Sequence, residues 1–274
     1  MSAPGSHKRS LIVLEAIMIL VALIWIYPAL FVLNNAVKPE ADIKLHPISL
    51  PTTLTIANFI KAWTEMRFPQ ALLNTAIITV FGVAGIILVS SMAAWKLARS
   101  FGRISWVLYL LFAFAMVIPF QIIMVPIVGL STDLKLASVW GIIPMYWGLG
   151  APLAVFMYHG FVKGVPRELE EAASIDGAGQ FFVFFRVVFP LLRPITATIV
   201  ILDALWLWND FLLPLIVVKA GTLQLEQLHF YGMFLREYGP SAASLILSAT
   251  PIVIFYLMLQ KYIIKGIAAG AVKG

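Results

Sequence analysis

The sequence predicts an all-α protein that crosses a membrane several times, and three observations carry that reading. Apolar residues make up 61% of the chain and charged residues 12%, with a mean hydropathy of +0.96, well beyond the roughly half-apolar usage of soluble domains. The apolar residues gather into six runs, each near the roughly 20 residues that a helix needs to cross a bilayer. The lysines and arginines lie at the ends of these runs and divide unevenly between the two sides that the runs define. Six spans and their loops account for the 274 residues. One membrane domain over residues 11–264 is therefore expected, between a polar segment 1–10 and a tail 265–274, with no separate soluble domain of ordinary size.

The first run, residues 11–33, follows Lys8 and Arg9. A signal peptide has a shorter apolar core and a small-residue cleavage site, so this run reads as a retained helix, with Glu15 close enough to its start to reach the interface. Residues 34–69 are polar and carry Lys38, Pro39, Glu40, Asp42, Lys44, Pro47 and Pro51. A connection of that length predicts an ordered extramembrane loop, with a short helix near residues 56–66. The second run, 71–95, contains Asn74, Thr75, Gly82, Gly85, Ser90 and Ser91, small residues that let helix backbones approach inside a bundle. A basic turn with Lys96, Arg99 and Arg103 leads to the third run, 105–129, where Pro119 and Pro126 predict a kink or break. The fourth run, 137–158, is interrupted by Pro144, Gly148, Gly150 and Pro152. A polar stretch, 163–190, separates it from the fifth run, 195–218. A second outer loop, 219–240, precedes the sixth run, 242–264.

With residues 163–190 placed inside, twelve Lys and Arg lie on the inner side and seven on the outer, so both termini and the central stretch are expected in the cytoplasm. The net charge of +6 forms no dense block and no aromatic-lined groove, which argues against nucleic acid as a partner. Absence of cysteine excludes a disulfide framework and a thiolate metal site.

The central stretch looks built to meet something soluble. Pro166 opens a short helix, Arg167 to Ile175, and Asp176-Gly177 ends it, because glycine adopts the left-handed backbone that a sharp turn needs. Ala172 and Ala173 let another surface approach closely, while Glu170 and Glu171 offer carboxylates to basic partners. A second helix follows, with Phe181, Phe184, Phe185 and Val188 on one apolar stripe and Pro190 closing the unit.

The fifth run places Asp203 and Asp210 at an i, i+7 spacing, with Trp206 on the same face and Trp208 and Asn209 beside it. Acids within a membrane helix face the bundle interior or a watery path. Rings beside carboxylates suit a carbohydrate path, since sugar C–H faces stack on rings and hydroxyls bond to acids. The alternative is that Asn209 and Asp210 only tie neighbouring helices together. In the 219–240 loop, Phe230, Tyr231 and Phe234 are either a docking surface or an interfacial aromatic belt. His7, His46, His159 and His229 are scattered, and no metalloprotease, nucleophile-elbow or phosphate-loop pattern occurs. No catalytic or metal site is expected, nor nucleotide binding by a phosphate loop in this chain.

Four strings give these features a family. Glu171-Ala172-Ala173, Gly177, Val187, Phe189 and Pro190 fit E-A-A-x3-G-x9-hydrophobic-x-hydrophobic-P and resemble the EAA loop of ABC importer membrane subunits, with Val187 and Phe189 in place of the usual isoleucine and leucine. WNDFLLPL, at 208–215, resembles the fifth-helix signature of sugar-importer permeases. NNAVKPEADI resembles the usual opening of the first outer loop, and GIAAGAVKG the ending of MalG-type permeases. The TLQLEQL string departs from that family's frequent T-L-P-x-G-L.

The resemblance implies the type I ABC importer permease fold, with six transmembrane helices, in a bacterial or archaeal cytoplasmic membrane. It implies a heterodimer with a MalF-like permease, two ATPase subunits holding ATP and Mg, an external sugar-binding protein and carbohydrate cargo, with no cofactor in this chain. Under it, Glu170, Glu171, Ala172, Ala173, Asp176 and Gly177 couple to the ATPase, and Ala271, Val272, Lys273 and Gly274 reach between the two ATPase copies. Asp203, Trp206, Asn209 and Asp210 line the translocation path, and Phe230, Tyr231 and Phe234 approach the binding protein. A rival of another class is an ion-coupled secondary transporter relaying ions through Asp203 and Asp210. Such carriers often show two related halves, which this sequence lacks.

Overall fold

The computed structural model describes residues 4–218, 221–231 and 237–271, with side chains between residues 11 and 260 within those limits. The regular structure of the described residues is almost entirely helical, joined by turns and loops, and their packing forms two units, residues 1–68 with 227–249 and residues 69–226 with 250–274.

In the first unit, α1 (Pro4–Ala36) has no buried residue over its apolar window, so its faces are left to lipid or to another chain. The loop after it is ordered by α2 (Glu40–Leu45) and α3 (Ala57–Glu65), the second close to the predicted helix. Lys38 is fully buried, with no carboxylate partner among the described residues. Its Nζ donates instead to the carbonyls of His46 and Ser49, at 2.7 and 2.8 Å, and to Ser49 Oγ at 3.2 Å. Asn58 donates to the carbonyls of Ala36 and Lys38. Glu40 accepts the first amides of the last helix, from Tyr238 at 3.2 Å and Gly239 at 2.9 Å, a carboxylate cap where a helix N-terminus is electropositive. Lys61 pairs with Glu237 at 2.6 Å, and that hydrogen-bonded carboxylate holds its ammonium above the usual lysine range.

The second unit begins along α4 (Phe68–Arg99). It continues through α5 (Arg103–Ala115), α6 (Phe120–Asp133), α7 (Ile143–Val162), α8 (Glu168–Ile175), α9 (Gln180–Val183), α10 (Phe189–Leu191), α11 (Arg193–Asn209), α12 (Leu212–Val217) and α13 (Leu223–Glu226), and ends along α14 (Tyr238–Ala271). Its core gathers around α7, whose Tyr146, Ala154, Val155, Tyr158 and Val162 are buried against α4, α5 and α11. The small residues of α4 serve close approach, as expected. Trp147 of α7 lies over Gly85 and donates from Nε1 to the Phe81 carbonyl at 3.0 Å, and a Cβ at Gly85 would clash with that nitrogen.

The proline-rich runs resolve differently from one another. The third run breaks between α5 and α6, which meet at 105°, and Pro119 starts α6 where the residue before a proline resists helical backbone. Pro144 does not interrupt the fourth run. It sits in the first turn of α7, where a missing N–H costs nothing. The fifth run is broken too, because Asp210 is extended (φ −70°, ψ 126°) and separates α11 from α12.

Among the described residues, three helices are long and apolar enough to cross a membrane, and five if each of two bent pairs is one span. α7, with 20 residues, has the roughly 30 Å length of a crossing, but tyrosines, His159 and two prolines dilute its apolar character.

Candidate functional site

The segment 163–190 forms a helix, a turn and a second helix. α8 ends in a hydrogen-bonded glycine cap: Gly177 N–H donates to the Ser174 carbonyl and Ala178 N–H to the Ala173 carbonyl, with Gly177 at φ +83°. A Cβ on Gly177 would meet no atom within 4 Å, so only the backbone conformation demands glycine. Glu171, Ala172 and Asp176 are exposed and Ile175 is 85% exposed, while Ala173 packs against the core. These residues form the free face of a short helix.

Glu170 corrects the sequence expectation. Its carboxylate is not offered to a partner but is used within the chain. Arg99 donates to Oε1 from Nε at 2.9 Å and from Nη2 at 2.6 Å, and Trp95 donates to Oε2 at 2.9 Å. The same Nη2 also reaches the Val165 carbonyl at 2.9 Å. The two charged side chains are only 13% and 14% exposed. Two donors from the end of α4 thus hold the inner side of α8, an arrangement bidentate on one oxygen and capped on the other.

The second helix also departs from expectation. Phe184 and Val188 are buried as predicted, but Phe181 is 70% exposed, Phe185 is also exposed, and Val183 takes the third inner position. The cause is a π-helical turn over Phe184–Val188, which adds a residue to the turn and shifts the buried face. Pro190, which has no N–H to give the ladder, lies inside α10, and the chain bends 78° only at Leu192.

The intramembrane acids gather at a cavity of about 670 Å³. Asp203, Trp206 and Asp210 line it together with Met116, Phe120 and Leu153, so the helical spacing had grouped these three correctly. Asn209 is exposed, is absent from that lining, and donates back to its own helix at Leu205, 2.8 Å away. The two acids differ sharply. Asp210 Oδ2 accepts the Tyr146 hydroxyl at 2.7 Å and Oδ1 accepts the Leu212 N–H at 3.1 Å, so it caps α12 and ties it to α7. Asp203 is 3% exposed, and its Oδ2 has no partner among the described residues. Tyr146 sets its ring edge-on to Trp206, with centroids 5.6 Å apart.

Phe230 is 1% exposed, at the end of a 3-10 turn, and its ring therefore belongs to the core of its unit and not to a docking face. Tyr231 beside it is exposed. Phe234, Val272, Lys273 and Gly274 lie outside the described residues, as does the side chain of Ala271. Among the described residues, no group of three or more His, Asp or Glu side chains converges as a metal site would require. Sequence reasoning missed Trp95, Arg99 and Tyr146. The basic turn at 96–103 had registered only as a topology signal, and nothing local marks a partner some 70 residues away.

Residues 85–269 match the family described as "Binding-protein-dependent transport system inner membrane component". The chain is 38% identical to the probable starch degradation products transport system permease protein AmyC of Thermoanaerobacterium thermosulfurigenes, over 93% of this chain and 94% of that one. It is 34% identical to the melibiose/raffinose/stachyose import permease protein MelC of Bacillus subtilis, over 98% and 99%. Among solved structures, a bacterial ABC transporter involved in the import of the acidic polysaccharide alginate aligns with a TM-score of 0.81. That match has 21% identity and covers 96% of this chain and 99% of that one.

Proposed function

Because this chain belongs to the binding-protein-dependent transport system inner membrane components, we propose that it forms half of the translocation path of a carbohydrate importer and is driven through α8. It is a multi-pass membrane permease subunit of an ABC importer, a transport component and not an enzyme, with ATP hydrolysis in a separate subunit. The family works with another permease, an ATPase and a binding protein. The finer assembly belongs to the proposal: a MalF-like partner, two ATPase copies holding ATP and Mg, no cofactor in this chain, and six spans with both termini in the cytoplasm of a bacterium or archaeon.

The observation that carries the reading is the two-sided character of α8. Its inner side is clamped to α4 by Glu170, while Glu171, Ala172 and Ile175 face outward with nothing of the described residues upon them. A helix so held can transmit a push as a rigid body. ATP-driven closure of the ATPase pair would move α8, α4 would follow, and the broken helices around the cavity would expose it to the outer side. Asp203, Trp206 and Asp210 line the path in this reading and Asn209 does not; Phe230, buried, takes no part in a binding-protein contact. The ion-coupled alternative draws no support from the relatives, and Asp210 is already committed to Tyr146 and Leu212.

The test is co-purification in mild detergent, with and without Glu171→Lys, which puts a base on the free face and leaves the clamp intact. Recovery of an ATPase and a second permease, with the ATPase alone lost in the variant, is expected. A chain that purifies without either partner would refute the proposal.

A further inference from the structure

The free face of α8 is small for the work the proposed function gives it. Eight residues make a helix about 12 Å long and about 10 Å wide, whereas a stable contact between proteins takes about 800 Å² from each side. More of this chain must therefore meet the partner that covers α8, and the loop between α4 and α5 is in contact with it. Phe101 in that loop is 87% exposed, and the guanidinium of Arg167 lies over its ring, 4.5 Å from the centroid. Arg167 immediately precedes α8 and shares the side of the helix that carries Glu171, four residues on. The ring thus borders the free face at one end, as Ile175, 85% exposed, does at the other.

Lipid does not account for that exposure. The ring touches the residue that opens α8, and α8 exposes Glu168, Glu171 and Asp176, carboxylates that belong in water and not in hydrocarbon. A phenyl ring left in water beside them forgoes the gain of burial, which an apolar surface on the partner would restore. Nor is the loop free to drift. Arg99, two residues before Phe101, holds Glu170, so residues 99–101 are joined twice to residues 167–170 and the ring keeps its place beside α8. Resting on the proposed function, we infer that Phe101 is a second anchor of the ATPase contact: its ring enters an apolar recess beside the surface that receives α8. The ATPase then holds the end of α4 directly as well as through Glu170, and its movement reaches the spans by two routes.

The experiment uses the assembled importer in lipid nanodiscs and has two readouts. In the first, p-benzoylphenylalanine replaces Phe101, which keeps the ring, and irradiation should join this chain covalently to the ATPase, as identified by mass spectrometry. In the second, the ATPase should leave the Phe101→Ala complex about tenfold faster than it leaves wild type, the scale of losing an interface anchor. The ring is exposed in this chain, so Phe101→Ala should still recover the second permease in full. Adducts confined to lipid or to the second permease would overturn the inference, because the ring would then act only by steadying Arg167. Unchanged release of the ATPase in Phe101→Ala, or loss of the second permease along with it, would overturn it too. Glu171→Lys separates the two readings. If it strips the ATPase while Phe101→Ala does not, the proposed function stands and this inference falls; if it leaves the ATPase bound as in wild type, the α8 contact falls and this inference with it.

Discussion

Replacing Glu170 by alanine should detach α8 from α4 and separate ATP hydrolysis from transport. The carboxylate takes two bonds from Arg99 and one from Trp95. Its loss leaves the guanidinium with the Val165 carbonyl alone and the indole N–H without an acceptor. Breaking a fully buried pair by removing one partner costs about 3–5 kcal/mol; at the partial exposure seen here, about 2–3 kcal/mol is the appropriate scale. At 1.4 kcal/mol per factor of ten, that weakens docking of α8 by roughly 30- to 150-fold. Hydrogen exchange resolved over residues 168–177 should therefore lose protection by one to two orders of magnitude, and sugar moved per ATP should fall while hydrolysis persists. Glu170→Gln, which keeps an acceptor for Arg99, should lie between. The Arg99→Met/Glu170→Ala double variant should cost less than the sum of its singles, since each single strands the other's partner. Unchanged exchange and unchanged sugar per ATP in Glu170→Ala would refute the view that the clamp transmits force, as would strictly additive singles.

Three further perturbations follow from the geometry. At Gly177 the only obstacle to a side chain is the φ of +83°, so Gly177→Val should cost about 1–2 kcal/mol and lower sugar per ATP. Gly177→Asn, whose side chain tolerates that backbone, should stay close to wild type; equal loss in both would point to a steric cause instead. Lys38→Met should remove the Nζ hydrogen bonds that hold His46 and Ser49, leaving their carbonyls to the Ser49 hydroxyl and the Asn34 amide alone, at a cost of about 1–3 kcal/mol, and limited proteolysis should then cut faster within residues 44–50. Gly85→Val should force the Trp147 indole from the Phe81 carbonyl and lower the melting temperature, by about 1–3 kcal/mol of overpacking. Adding Trp147→Ala should recover part of that loss.

Local chemistry was legible and distant pairing was not. A proline, an octet of good helix formers and Asp176-Gly177 delimit α8 to within a residue, because caps and turns are decided by neighbours in the chain. The grouping of Asp203, Trp206 and Asp210 followed from helical period alone. The roles within that group did not. Whether an acid is committed or free depends on Tyr146, which lies 64 residues from Asp210. Glu170 and Glu171 look interchangeable in sequence, yet one faces Arg99 and the other faces outward, a distinction set by the packing of α4. Phe230 carries the composition of a surface aromatic, and only its place in a short 3-10 turn puts it in the core. The failed stripe of phenylalanines shows a different limit. Periodicity presumes a uniform helix, and the π turn is not uniform.

That turn also bears on engineering. A graft of residues 163–190 from one permease onto another would match the residues of the proposed ATPase contact. Here the orientation of the contact also depends on a residue count, because the wide turn between Gly177 and Pro190 holds one residue more than an α-helix would. A graft of equal length whose sequence closed this turn into regular α-helix would rotate everything upstream by about 100° about the helix axis. It would present Phe181 and Phe185 to the core in place of Val183, and point α8 away from Arg99. The form of that turn, as much as the residues at the contact, then sets which chimaeras can couple.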